Sequence, residues 1–133
     1  MFSIFNVSGS AISAQAQRLN AVASNLANAD TVSDANGQAY RAKQVIFQAA
    51  DVPGEQHTQG VQMSQVVQSD APGRRVYQPQ HPSADGEGYV TYANVNPVDE
   101  MVNMIAASRS YQNNVEVMNT AKNLLMKTLQ MGQ

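Results

Sequence analysis

The chain has 133 residues, 43% of them hydrophobic, which suits one ordinary domain with a core of its own. Charged residues make up 14% and the formal net charge is −2, so there is no electrostatic footprint for nucleic acid or for an anionic membrane. Cysteine is absent, which excludes disulfides, thiolate nucleophiles and cysteine-ligated metals.

The charged fraction is well below the usual ~25%. Glutamine, asparagine and serine fill the polar quota instead, a surface suited to meeting other protein rather than bulk water. No window holds the ~18 apolar residues that a membrane-crossing helix needs. Met1 to Ser13 lacks both a basic region and a continuous apolar stretch, so it does not read as a cleavable signal peptide; export would need another route.

Residues 1–30 form the first predicted segment, with a helix over 2–29. Phe5, Gly9, Ile12, Ala16, Leu19, Ala23 and Leu26 recur at alternating steps of four and three, the spacing of a coiled-coil seam. Val7, Ala11, Ala14 and Ala21 make a second face of small side chains. Asn6, Ser8 or Ser10 is each a candidate N-cap, and Gly9 weakens the first turn.

Residues 31–96 are punctuated by Asn36-Gly37, Pro53-Gly54, Pro72-Gly73 and the stretch from Pro79 to Gly88. Short strands are predicted at Tyr40–Ala49, Val61–Ser69, Arg74–Tyr77 and Gly88–Tyr92. Pro72-Gly73 fits the centre of a type II turn between two of them.

Residues 97–133 hold the second helix, over 97–131. Asn96 is the N-cap, Pro97 suits the first helical position, and Asp99 and Glu100 complement the positive end of the dipole. Gly132 is placed to stop the helix. The seam runs Met101, Met104, Ser108, Tyr111, Val115, Met118, Lys122, Leu125, Leu129. Val98, Val102 and Ile105 form a further stripe, and Val117, Ala121 and Leu124 another. Several stripes imply several partner helices. Helices of ~40 and ~50 Å exceed a compact globule of this length, whose radius of gyration is roughly 14 Å. The expected fold is mainly α and elongated, with the terminal helices paired as a coiled coil and a small antiparallel β element between them. The expected assembly interface is Phe5, Ile12, Leu19, Ala23, Leu26, Met101, Met104, Ile105, Tyr111, Val115, Met118, Leu125 and Leu129.

Catalytic chemistry finds no support. His57 and His81 sit in turn-rich stretches without metal-ligand spacing. Ser83 to Gly88 lacks the spaced ligands of a calcium loop and reads as an ordinary turn. No catalytic residue, metal site or cofactor is expected. The chain reads as a building block joined to its neighbours by long helices, with a monomeric helical adaptor or export chaperone as the alternative.

Ser8-Gly9-Ser10-Ala11, Gln17-Arg18-Leu19-Asn20 and Ala23-Ser24-Asn25-Leu26-Ala27-Asn28-Ala29-Asp30-Thr31 together resemble the N-terminal signature of bacterial flagellar rod and hook proteins. Within it, Asn25, Leu26, Ala27 and Asn28 form the family motif. Asn94-Val95-Asn96, Glu100-Met101, Ser108 to Gln112, Asn114-Val115 and the close from Lys127 to Gln133 match the family's carboxyl end. Tyr40 to Lys43, Val76-Tyr77, His81-Pro82 and Gly88-Tyr89-Val90 narrow the resemblance to a short proximal-rod member with no large inserted domain. Ala93 stands where such proteins usually carry proline.

The resemblance implies a subunit of the proximal rod of the basal body, in the periplasm. It implies export by the flagellar type III apparatus without a cleavable signal peptide. The polymer would carry torque from motor to hook and form part of the export channel. The partners implied are further copies, other rod subunits (FlgB, FlgF and FlgG), the FliE adaptor and the rod cap protein FlgJ.

Overall fold

The computed structural model describes residues 2–34 and 36–132. The elements in chain order are α1 (Phe2–Ala27), β1 (Lys43–Asp51), β2 (Gln59–Gln68), β3 (Arg75–Tyr77), β4 (Tyr89–Thr91) and α2 (Pro97–Met131). Two terminal helices with a small β element between them are thus present, and the helices pack on each other. No helix among the described residues is long and apolar enough to cross a membrane.

α2 begins where local chemistry dictates. Asn96 Oδ1 accepts from the backbone N–H groups of Val98 (3.1 Å) and Asp99 (3.3 Å), which satisfies two of the orphan donors of the first turn. α1 differs from expectation. It is already helical at Phe2, so Asn6, Ser8 and Ser10 lie inside it and none is its cap. Ser10 is accommodated there because its hydroxyl donates to the Val7 carbonyl at 2.7 Å, one turn back.

β1 pairs with β2 and β3 with β4, as two separate two-stranded sheets. β3 and β4 run antiparallel, with Arg75 opposite Thr91, Val76 opposite Val90 and Tyr77 opposite Tyr89. β1 starts at Lys43 rather than Tyr40, because the Ala42 N–H is committed to Asn94 Oδ1 at 2.6 Å instead of to a neighbouring strand. The type II turn falls on the other proline-glycine pair. Glu55 N–H donates to Val52 O at 3.1 Å across Pro53-Gly54, with Gly54 at φ +87°. Gly73 is not among the glycines of positive φ. It is required by proximity: a Cβ there would run into the backbone carbonyl of Tyr92.

The chain divides into two compact units. The first comprises Met1–Leu19, Val45–Gln65 and Ile105–Gln133. Its buried side chains are small: Ser8, Ala14, Val52, Ala107 and Ala121. Ser10 Oγ accepts from the Val61 N–H at 3.0 Å, which ties β2 to α1, and Gly60 leaves the space that this contact needs.

The second unit comprises Asn20–Gln44 and Val66–Met104. It buries Val22, Ala29, Ala42, Val90 and Ala93 around Asn25 and Ser33. Residues 31–33 extend the β3–β4 sheet. Val32 bridges Tyr92, flanked by Ser33 N–H to Thr91 O (2.8 Å) and Ala93 N–H to Thr31 O (3.2 Å). Ala93 therefore donates a bond that a proline in its place has no hydrogen to make.

Candidate assembly site

The most constrained polar group in the protein is Asn25, fully buried on the last turns of α1. Its Oδ1 accepts from the Lys43 N–H (2.8 Å) and from the Tyr40 hydroxyl (2.9 Å). Its Nδ2 donates to the Lys43 carbonyl (2.9 Å) and to Glu100 Oε2 (3.1 Å). All four hydrogen-bonding positions of the amide are used. The amide orientation follows from the partners, since a flip would set the amide donor against the Lys43 N–H. Tyr40 gives its one proton to Asn25, so in the 2.8 Å contact with Ser24 the serine is the donor.

This clasp joins the end of α1, the entry to β1 and the first turn of α2. Glu100 thus does more than complement the helix dipole: it anchors α2 to α1 through Asn25. Asn94 forms a second clasp in the same unit. It accepts from Ala42 N–H and donates to the carbonyls of Ser69 (3.2 Å) and Ala71 (2.8 Å). Asn28 donates to Ser24 O at 2.8 Å, and Thr31 Oγ1 donates to Asn28 O at 2.7 Å, which closes the C-terminal end of α1.

The expected interface residues occupy a different tier. Phe5, Ile12, Leu19 and Leu26 on α1 are half-buried and Ala23 is exposed. On α2, Met104, Val115, Met118 and Leu125 are half-buried, while Met101, Ile105, Tyr111 and Leu129 are exposed. None is fully buried. The fully buried positions are Ser8, Ala14, Val22 and Asn25 on α1 and Ala107 and Ala121 on α2. Apart from Val22 and the fully bonded Asn25 these are serine and alanine, while the larger apolar residues of the seams stay half-buried or exposed. Of these, Ala14 stands on the second face predicted for α1 and Ala121 on a stripe predicted for α2.

Exposed apolar side chains continue along α2 as Val98, Met101, Val102 and Ile105, then as Val117, Leu124, Met126, Leu129 and Met131. Ile4, Val117, Ala121 and Leu124 line a shallow apolar groove in the first unit.

Tyr40, Glu100 and Asn94 were not singled out as site residues by sequence reasoning, because their partners are 15 to 75 residues distant. Their presence in recognisable motif positions was the one available signal. The remaining candidates are ordinary. His81 Nδ1 accepts from the Ser83 N–H at 3.0 Å. Asp85 organises the turn between β3 and β4: Oδ1 accepts from the N–H groups of Tyr89 and Glu87, and Oδ2 from Arg75 at 3.1 Å. The Tyr89 N–H foremost, then the Glu87 N–H and the Arg75 guanidinium, hold its carboxyl below the usual aspartate value. No group of acidic and histidine side chains able to hold a metal is present among the described residues.

Two family models match the chain. Residues 5–32 match "Flagella basal body rod protein", and residues 87–131 match "Flagellar basal body rod FlgEFG protein C-terminal". Among curated proteins, the flagellar basal-body rod protein FlgC of Yersinia enterocolitica is 57% identical over 133 residues, covering 100% of this chain and 98% of the relative. FlgC of Escherichia coli O157:H7 is 55% identical and that of Salmonella typhimurium 54%, both over the same span of 133 residues and with the same coverage. The two matched spans hold Asn25 on α1, and β4 with the whole of α2 including Glu100; the clasp residues Tyr40 and Lys43 lie between them. The chain belongs to the flagellar basal-body rod protein FlgC family.

Proposed function

We propose that the chain is a structural subunit of the proximal flagellar rod that polymerises through its terminal helices. The observation that carries this reading is the unpartnered apolar surface of α2, from Val98 to Met131, on a chain similar over its full length to rod proteins. Such surface is costly in water and marks an interaction site. Covering it on assembly yields about 25 cal/mol per Å² of apolar area, which offsets the entropy of ordering the helices.

In this reading residues 1–30 and 97–133 form the inner coiled-coil layer, and residues 31–96 lie between them. Torque is carried by many shared interfaces and by no single residue, and the layer forms part of the export channel. The location is the periplasmic part of the basal body, reached through the flagellar type III export apparatus. The neighbours are FlgB, FlgF and FlgG, further copies, the FliE adaptor and the cap protein FlgJ. Family membership favours this reading over a monomeric adaptor and over any enzyme.

The test is incorporation into the rod. Leu19→Asp and Leu125→Asp put a charge into half-buried apolar positions and are expected to abolish rod assembly and swimming. Met101→Asp is the sharper variant: Met101 is exposed, so the substituted chain keeps its fold yet is expected not to assemble. Normal swimming with all three would overturn the proposal.

A further inference from the structure

We propose that the exposed methionines of α2, Met101 foremost, are reversible oxidation sites through which a peroxide blocks the chain from assembling. The consequence rests on the rod reading above; the sites rest on the sequence and the surface alone. The chain has seven methionines and no cysteine, so thioether sulfur is the only sulfur open to an oxidant. Met101, Met104, Met118, Met126 and Met131 all lie within the 35 residues of α2. Leucine has a similar helix propensity, so helix formation alone gives no reason for methionine there. Val98, Met101, Val102 and Ile105 are spaced to share one face of the first turns of α2. All four are exposed, Met101 at 55%, and it is the one sulfur in a stripe of branched hydrocarbon. Val117, Leu124 and Met131 recur every seventh residue, and Met131 ends that stripe at 86% exposed. Met126 is exposed too, whereas Met63, Met104 and Met118 are half-buried.

The step needs only a peroxide. One peroxide oxygen bonds to the sulfur lone pair as the O–O bond breaks; the thioether is oxidised by two electrons and the peroxide is reduced, leaving as water or an alcohol. The sulfoxide is polar and chiral, and its oxygen accepts hydrogen bonds. On the isolated chain that oxygen stays in water, so the fold is spared. In an interface it loses that water, and the Val98, Val102 and Ile105 side chains beside Met101 offer it no donor. Oxidation therefore removes association and leaves the subunit intact. A methionine sulfoxide reductase reverses it: the oxygen leaves as water while two thiols become a disulfide. Assembly covers the stripe, so the block acts on the chain before incorporation.

The test has two arms. In the first, the dilute full chain is treated with hydrogen peroxide and its peptides are weighed by mass spectrometry. Met101, Met126 and Met131 are expected to gain oxygen at least about fivefold faster than Met63, Met104 and Met118, with the circular dichroism of the chain unchanged. Equal rates at all six would overturn the assignment of sites. In the second, cells lacking this chain receive it unsubstituted or with Met101→Leu, Met126→Leu and Met131→Leu together, which keeps the apolar volume. Both are expected to swim without peroxide. Under peroxide, new rods built with the unsubstituted chain should fall by about fivefold or more, and those built with the leucine variant should not. Equal loss in both, or no loss in either, would overturn the proposal. Met101→Gln, which sets an uncharged polar group in the stripe, is expected to lower rod number with no oxidant present; an undiminished number would remove Met101 from the proposal. Failure of the unsubstituted chain to restore swimming without peroxide would count against the rod reading itself, while the mass spectra still decide the sites.

Discussion

The two units are built from the same two helices yet solve opposite problems. The second unit spends buried polar groups on internal bonds: Asn25, Asn94 and the 31–33 ladder leave little for a partner to satisfy. Among the described residues the first unit buries side chains no larger than valine and leaves many large apolar ones exposed. One region specifies a single arrangement, and the other retains the surface that association consumes. Local completeness and capacity to assemble are thus segregated along the helices.

That contrast can be broken most strongly at Asn25. Asn25→Leu removes the partners of the Lys43 N–H and carbonyl, while Tyr40 keeps only its bond with Ser24, and should cost about 3 kcal/mol. Urea unfolding followed by tyrosine fluorescence checks it, because Tyr40, Tyr77, Tyr89 and Tyr92 all lie in the second unit. Gly73→Ala comes next. The added methyl meets the Tyr92 carbonyl, and overpacking against backbone should cost about 2 kcal/mol in the same experiment. The equivalent change in the first unit has the opposite sign. Gly9 has open space where a Cβ would stand, so Gly9→Ala should raise the helicity of α1, by about 0.5–1 kcal/mol of helix stability, in circular dichroism.

The smallest effect concerns acid. The Asp85 carboxyl is depressed in the folded chain, so its contribution is fully present above the ordinary aspartate value and fades as pH falls through the lowered folded value. NMR of the β3–β4 turn should show the Tyr89 and Glu87 amides shifting over that acidic interval. In Asp85→Asn the interval should be silent.

Features governed by neighbours in sequence were legible before the structure. Asn96 capping α2 needs only the next three residues, and the helix spans follow from long apolar periodicity. Features governed by distant chain were not. Pro53-Gly54 and Pro72-Gly73 are the same dipeptide, yet only the first forms the type II turn, because the second is pressed against Tyr92. Asn25 stands out in the sequence as part of the family motif, but what it bonds is set by the distant Tyr40, Lys43 and Glu100.

The bonds between Thr31 and Ala93 and between Ser33 and Thr91 lie just past Ala27 and just ahead of Pro97. They pin the chain to itself at the neck of an excursion that begins and ends at the same place. Lengthening the connection between β3 and β4, which lies in the same unit, therefore need not alter the spacing of the helix ends that flank the neck, since these bonds already secure closure. The chain can thus gain or lose residues in that connection while the ends of α1 and α2 beside the neck keep a fixed gauge.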